Sequence, residues 1–126
     1  ADDRIIARFS MPKGTDEEKA ARKAAITEAT KGAINTPLRT MEVCVESMAV
    51  MKAMAETGMP ASVSDAGVGA LCARTGAIGG YLNVMINCAG LNDPAFKAEV
   101  IEKADALKAQ AEALEAEVMA LTLAKV

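Results

Sequence analysis

Two asparagines four residues apart are the polar side chains whose spacing says most about possible chemistry. Asn83 and Asn87 fall on one face of a helix, inside residues 75–91, which carry no charged side chain. A buried carboxamide without a hydrogen-bond partner costs about 1–3 kcal/mol. The pair therefore predicts a polar line that binds either a neighbouring backbone or a heteroaromatic ligand.

Asp65 is a third polar candidate, at the opening of the same helical segment. A carboxylate suits the positive end of a helix dipole, so capping or first-turn stabilisation is its default role and ligand binding is the alternative. Asn83 lies about 27 Å further along a straight helix. One chain can bring Asp65 to the asparagines only if the helix breaks near Gly79 and Gly80; otherwise a second subunit must supply one of them.

The composition argues against several classes of function. The sequence contains no His, so it can form neither a Ser-His-Asp triad nor a His-ligated zinc site. The net charge of −3 has the wrong sign for a general nucleic-acid binder. The acidic residues show no spacing that would hold a metal ion. Residues 75–91 are shorter than the roughly 20 residues that span a bilayer, so we expect no membrane partner.

The three cysteines indicate a reducing compartment. Cys44, Cys72 and Cys88 are odd in number and form no C-x-x-C motif, which favours free, buried thiols over disulfides. No signal peptide is visible, and we expect the protein to be cytoplasmic.

The elements that must position these residues are predicted to be helices. The chain has 126 residues, of which 27 are Ala and 8 are Met, and only 2% are aromatic. Ala and Met favour helices and have little β preference. We therefore predict one all-α domain over residues 1–126, an antiparallel helical bundle with an aliphatic core. Residues 4–9 resemble the tail of a helix, and we expect that the domain lacks its N-terminal part.

Capping signals divide the chain into helices. Thr15 and Glu18 form a capping box that opens a helix running towards Gly32. Thr36 and Pro37 carry the signature of an N-cap followed by Pro at the first helical position, and they predict a second helix that ends at Gly58.

Two further helices complete the bundle. The third begins near Asp65, capped by Ser62 or Ser64, and closes at Gly90, with a kink near Gly79 and Gly80. Asp93 and Pro94 open a long C-terminal helix that reaches Lys125. Its apolar residues repeat with a heptad-like spacing, which predicts antiparallel packing along another long helix. That stripe comprises Phe96, Val100, Ala104, Leu107, Ala111, Leu114, Val118 and Leu121.

The third helix is the Gly/Ala-rich central one. A glycine inside a helix costs about 0.5–1 kcal/mol relative to Ala. This segment contains five: Gly67, Gly69, Gly76, Gly79 and Gly80. They require a compensating close contact, with either another helix backbone or a flat ligand.

Four sequence blocks, taken in order, carry a resemblance. They are MPKGTDEEK at 11–19, TPL at 36–38, SVSDAGV at 62–68 and GYLNVMIN at 80–87. Together they resemble the formiminotransferase-cyclodeaminase / methenyltetrahydrofolate cyclohydrolase family, in the C-terminal two thirds of the cyclodeaminase domain. The resemblance covers essentially the whole chain.

This resemblance implies a dimeric, all-helical enzyme that binds a tetrahydrofolate derivative in a cleft. Family members close 5-formiminotetrahydrofolate to 5,10-methenyltetrahydrofolate with loss of ammonia, or hydrate the methenyl bridge to 10-formyltetrahydrofolate. Both reactions need a positioned acid or base; we expect no metal and no cofactor beyond the folate substrate. We favour cyclodeaminase, with cyclohydrolase as the alternative and a non-catalytic helical assembly protein as the competing class.

The resemblance also implies roles for individual residues. The family's proton donor precedes the Pro-Lys block, which leaves Asp3, or Asp2, as the catalytic candidate in this chain. Lys13, in that block, is expected to bind the anionic glutamate tail of the folate. Asp65, Asn83 and Asn87 are expected to form one substrate-binding cluster at a dimer interface.

Overall fold

The computed structural model describes residues 3–126 and consists of four α-helices. They are α1 (Asp3–Phe9), α2 (Asp16–Thr57), α3 (Val63–Ala89) and α4 (Pro94–Leu123), and a 3₁₀ turn at Pro60–Ser62 precedes α3. The all-α prediction is confirmed over this part of the chain.

The three long helices form an antiparallel bundle. Gly80 of α3 faces Met41 of α2 and Gly69 faces Met51, so these two helices run in opposite directions. Ion pairs join Lys103 of α4 to α2 near its middle and Glu117 to α2 nearer its end, so α4 runs parallel to α2. The short helix α1 packs against α2.

The expected break between two helices at Thr36 and Pro37 is wrong, because α2 continues through both residues. The Thr36 hydroxyl donates to the carbonyl of Gly32 at 3.5 Å instead of capping a new helix. An interior proline costs roughly 3 kcal/mol. Ile34 and Leu38, one on each side of Pro37, both belong to the core. Their burial opposes a break at this point.

The capping signals at Thr15 and Asp93 are confirmed, whereas the side-chain cap expected from Ser62 or Ser64 is wrong. At Thr15 the hydroxyl accepts from the Glu18 amide at 3.1 Å, and the Glu18 carboxylate accepts from the Thr15 amide at 3.1 Å. Asp93 accepts from the Phe96 amide at 3.1 Å, at the start of α4. Helix α3 starts at Val63 without a side-chain cap, two residues before Asp65, and runs without a break through Gly79 and Gly80.

The core is aliphatic and built largely from small residues. Its larger end is formed by Ile34, Leu38, Met41, Val84, Cys88, Leu91, Val100 and Ala104. The middle is formed by Met48, Ala77 and Ala111, and the other end by Ala55, Ala66, Ala70 and Val118. The whole predicted stripe of α4 is buried or half-buried, as expected for a helix that packs along the bundle.

Close helix packing explains four of the five glycines of α3. A Cβ on Gly80 would lie 2.9 Å from the Pro37 carbonyl oxygen, and one on Gly69 or Gly76 would lie 2.7 Å from a sulfur atom of α2. A Cβ on Gly67 would lie 3.1 Å from Thr122 of α4. Gly79 differs, because no residue of another described element lies within 4 Å of its Cβ position.

Candidate functional site

A cleft of about 930 Å³ lies where α1, the middle of α2 and the second half of α3 meet. Thr36, Pro37 and Thr40 of α2 line its base. Helix α1 contributes one wall, and α3 contributes the other. The wall residues are Arg4, Ile5, Ile6 and Phe9 from α1 and Asn83, Ile86 and Asn87 from α3. Small-molecule pockets typically occupy roughly 300–1,000 Å³, so the cleft has a suitable size for one.

The two asparagines share this cleft, as their spacing on one helix face requires. The Asn83 side-chain amide donates to the Gly79 carbonyl at 3.0 Å, and that of Asn87 donates to the Asn83 carbonyl at 2.8 Å. Asn83 is exposed and Asn87 is half-buried. Within residues 3–126, neither carboxamide oxygen accepts a hydrogen bond. Both oxygens therefore remain available to a donor in the cleft.

Asp65 lies far from the asparagines along α3. Its side chain is exposed in the first turn, where its charge suits the helix dipole. Because α3 is unbroken, about 27 Å of helix separate Asp65 from Asn83. A single chain does not bring the three predicted binding residues together.

The two remaining candidates lie outside the lining of the cleft. Asp3 is exposed at the first residue of α1, directly before Arg4, which does line the cleft. Lys13 is exposed in the loop between α1 and α2. Asp2, the other candidate for the acid, falls outside the described residues.

The contributions of α1 and α2 to the cleft were not predicted from the sequence. Thr36 and Thr40 lie four residues apart on one helix face, the same signal that identified the asparagines. That signal was hidden because Thr36 and Pro37 were interpreted as a helix start. The wall formed by Ile5, Ile6 and Phe9 has no comparable signal, because α1 is only 7 residues long.

Ion pairs fasten the helices on the side of the bundle away from this cleft. Lys31 of α2 contacts Asp93, the N-cap of α4, at 2.7 Å, and this contact lowers the pKa of the Asp93 carboxyl from its usual value. Lys103 and Arg39 both contact Glu42 and lower the pKa of that carboxyl in turn. The pairs made by Lys31 and Lys103 tie α4 to α2, whereas Arg39 and Glu42 pair within α2.

An exposed apolar surface borders the cleft. It is formed by large side chains on one stripe of α3, which we call the open face of α3: Val68, Leu71, Leu82 and Ile86. Leu82 and Ile86 are 62% and 73% exposed, and Ile86 also lines the cleft. A groove of about 450 Å³ runs over the same helix beside Gly79. Contiguous apolar surface of this kind is typical of interaction sites.

Residues 3–126 contain neither a candidate metal cluster nor a helix that could span a membrane. Nowhere in this part do three or more His, Cys, Asp or Glu side chains gather where they could hold a metal ion. Of the helices described, none combines the length and the hydropathy needed to cross a membrane.

Fold and cleft together define an all-helical protein with an open, mostly apolar cleft that presents two carboxamides. The sequence model of the formiminotransferase-cyclodeaminase family matches residues 1–106. The chain therefore belongs to that family, as the four sequence blocks predicted.

Individual relatives carry two different names. The chain is 43% identical to a methenyltetrahydrofolate cyclohydrolase of Methylorubrum extorquens over 112 residues, which are 89% of this chain and 54% of that protein. It is 35% identical to the formimidoyltransferase-cyclodeaminase of Sus scrofa over 103 residues, or 82% and 19% of the two chains. The corresponding protein of Gallus gallus is 33% identical over an alignment 126 positions long, which covers 96% of this chain and 23% of that protein. The chain thus spans about half of the first relative and about a fifth of the other two.

Proposed function

We propose that this protein is a tetrahydrofolate one-carbon enzyme that hydrates 5,10-methenyltetrahydrofolate to 10-formyltetrahydrofolate. The observation that supports this proposal most directly is that Asn83 and Asn87 line one cleft, and their carboxamide oxygens accept no hydrogen bond from residues 3–126. Both residues belong to a block by which the chain resembles its family. The choice of hydration follows the Methylorubrum extorquens cyclohydrolase, which is more similar to this chain than the Sus scrofa protein is.

Cyclodeamination, which the sequence analysis favoured, is the second candidate. It is supported by the name of the family and by relatives called formimidoyltransferase-cyclodeaminase. The two reactions are chemically close. In hydration, water adds to the bridging carbon and the bond from that carbon to N5 then breaks. In cyclodeamination, N10 attacks the formimino carbon and ammonia leaves. Both pass through a tetrahedral carbon and need proton transfer at nitrogen.

The cleft suits a pterin ring in this proposal. Ile86 and the α1 residues Ile5 and Phe9 offer apolar surface for a flat ring, and the carboxamides offer hydrogen bonds along one edge. Each carboxamide oxygen can accept from a ring N–H. Each amide also keeps a second N–H, which can donate to a ring carbonyl.

We further propose that the working form is a two-fold homodimer, and that the partner copy supplies Asp65. The open face of α3 extends on both sides of Thr75. If two copies of α3 cross antiparallel with the two-fold axis at Thr75, position 65 of one copy lies opposite position 85 of the other. That position lies between Asn83 and Asn87 on the sequence. Formation of the dimer would then both cover the open face and complete the binding cluster.

The other site residues keep proposed roles. Asp3 is the proposed proton donor, because α1 brings the next residue, Arg4, to the cleft. Lys13 is proposed to bind the folate glutamate tail.

We propose that the reaction needs no cofactor beyond the folate and no metal. A cytoplasmic location is also proposed, since the three cysteines are free thiols.

The ultraviolet band of the methenyl bridge tests this function. A hydrating enzyme consumes the band of 5,10-methenyltetrahydrofolate faster than buffer does. A cyclodeaminase instead generates that band from 5-formiminotetrahydrofolate and releases ammonia. If the protein changes neither substrate yet forms a stable dimer, the proposed activity is wrong and the non-catalytic assembly protein is the better description.

A further inference from the structure

Helix α1 forms a wall of the cleft but is only lightly attached to the bundle. None of its seven residues, all of them described, is buried, and Ile6 and Phe9 are 51% and 54% exposed. Within the described part of the chain, α2 is the helix against which α1 packs. A seven-residue helix is not stable by its own hydrogen bonds in water. The position of this wall therefore depends on a small number of contacts with α2.

Arg22 of α2 makes the most specific of these contacts. Its Nε and Nη2 both donate to the Phe9 carbonyl oxygen, each at 3.2 Å. Its guanidinium also lies over the Phe9 ring, 5.5 Å from the centroid. The Phe9 carbonyl is at the C-terminal end of α1, where carbonyls lack intrahelical partners and the helix dipole is negative. One side chain thus satisfies the end of α1 and holds its last aromatic residue.

Among the described residues, three neighbouring cations, Arg8, Lys19 and Lys23, do not duplicate this role. Arg8 donates to the Arg4 carbonyl at 2.7 Å, which is a contact within α1. Lys19 pairs with Asp16 on α2 itself, at 3.9 Å. Lys23 is exposed one residue beyond Arg22 and makes no ion pair or side-chain hydrogen bond in the described part of the chain.

We infer that Arg22 is a positioning residue that fixes the α1 wall against the asparagine wall of the cleft. The inference rests on the proposed function, in which this cleft binds the folate. Without Arg22, α1 and Phe9 would leave their position, and the ligand would have to reorder them on binding. Such a loss acts on substrate and transition state alike, so it raises KM and leaves kcat nearly unchanged.

The test compares Arg22→Gln and Arg22→Lys with the control Lys23→Gln, which makes the same charge change as Arg22→Gln at an exposed neighbour. The first measurement is hydrogen exchange of residues 3–11 without ligand. We expect exchange to quicken by about tenfold in Arg22→Gln, to change less in Arg22→Lys, and to stay unchanged in Lys23→Gln. Unchanged exchange in Arg22→Gln would overturn the inference. So would faster exchange throughout the bundle, which would mark Arg22 as a residue of global stability.

The second measurement is steady-state kinetics with 5,10-methenyltetrahydrofolate. We expect KM to rise by about tenfold in Arg22→Gln, with kcat within about twofold, and Lys23→Gln to match the wild type. If the wild type turns over the folate and Arg22→Gln has the same KM, the inference fails and the proposed function stands. A wild type that neither binds nor converts either folate defeats the proposed function, and with it the role of α1 as a substrate wall. Exchange would then report only on how α1 is attached.

Discussion

The two sides of α3 differ in how fully this chain accounts for them. On the side that faces α2 and α4, the glycines receive close neighbours, and α4 is further tied to α2 by ion pairs. On the open face, large apolar residues are exposed, and nothing in the described part of the chain packs against the Cβ position of Gly79. Beside this face, the carboxamide oxygens of Asn83 and Asn87 accept no hydrogen bond from the described residues. The packed side accounts for the fold. The open side of α3, beside the cleft, carries features that intrachain packing leaves unexplained.

The largest effect on stability should come from adding a methyl group where α3 packs closely against α2. Gly80→Ala places a methyl group 2.9 Å from the Pro37 carbonyl oxygen and 2.8 Å from Met41, so the backbones of α2 and α3 must separate. We expect the free energy of unfolding to fall by about 3 kcal/mol, the upper end for overpacking. Chemical denaturation measures it. A variant as stable as the wild type would show that α2 and α3 do not pack as described.

A somewhat smaller effect, on folate binding, is expected at Asp65, in the first turn of α3. Asp65→Asn removes a charge that is proposed to accept hydrogen bonds from the pterin of the partner copy. We expect folate binding to weaken by about 2 kcal/mol, typical of a charged hydrogen bond, while the helical circular dichroism is unchanged. The exposed Glu102→Gln, which makes the same charge change on α4, is the control. Normal folate binding by Asp65→Asn would leave Asp65 as a structural residue of the first turn.

Gly79→Ala separates folding from association on the open face. Within residues 3–126, nothing outside the nearby backbone of α3 itself lies within 4 Å of the Cβ position, so the fold should tolerate the methyl group and gain about 0.5–1 kcal/mol of helix stability. If another copy of α3 approaches closely there, the same change weakens the dimer. Thermal unfolding and analytical ultracentrifugation, measured on one preparation, should therefore move in opposite directions. A variant that is more stable and equally dimeric would place the interface elsewhere.

The smallest expected effect is the pH dependence of the stability that the ion pair between Lys31 and Asp93 contributes. The hydrogen bond from Lys31, with that from the Phe96 amide, lowers the pKa of the Asp93 carboxyl. A carboxyl with a lowered folded-state pKa stabilises the fold above its unfolded value of about 3.9, and this contribution is lost as pH falls through the folded value. The difference in unfolding midpoint between wild type and Asp93→Asn should be present at neutral pH and shrink below about pH 4. A difference that persists in acid would exclude this pair as its cause.

The sequence predicted the features that depend on contacts between residues close together in the chain. Thr15 and Asp93 cap their helices through contacts three residues away, so the boundaries they define could be inferred from spacing alone. Pro37 could not be interpreted correctly in the same way, because burial of Ile34 and Leu38 against other helices maintains α2 through it. Tertiary packing outweighed a strong local signal.

The cleft was predicted only in part for a related reason. Asn83 and Asn87 were found because they are four residues apart on one helix. The wall that they face comes from α1, more than 70 residues earlier in the chain, and nothing in those residues indicates which helix they will oppose. The distance from Asp65 to the asparagines was predicted from helix geometry, since α3 is unbroken.

Subunit complementation tests the central claim most directly, namely that the open side of α3 becomes a folate site when a second copy covers it. Asp65→Asn and Asn87→Ala chains, each carrying a different tag, are co-expressed, and the mixed dimers are assayed with 5,10-methenyltetrahydrofolate at a concentration well below the wild-type KM, where weaker binding lowers the rate in proportion. If one copy supplies Asp65 and the other Asn87, each mixed dimer has one intact site and one doubly altered site. Unfractionated material with random pairing should then recover about a quarter of the wild-type activity, although each variant alone is nearly inactive. Mixed dimers no more active than the separate variants would contradict the shared site.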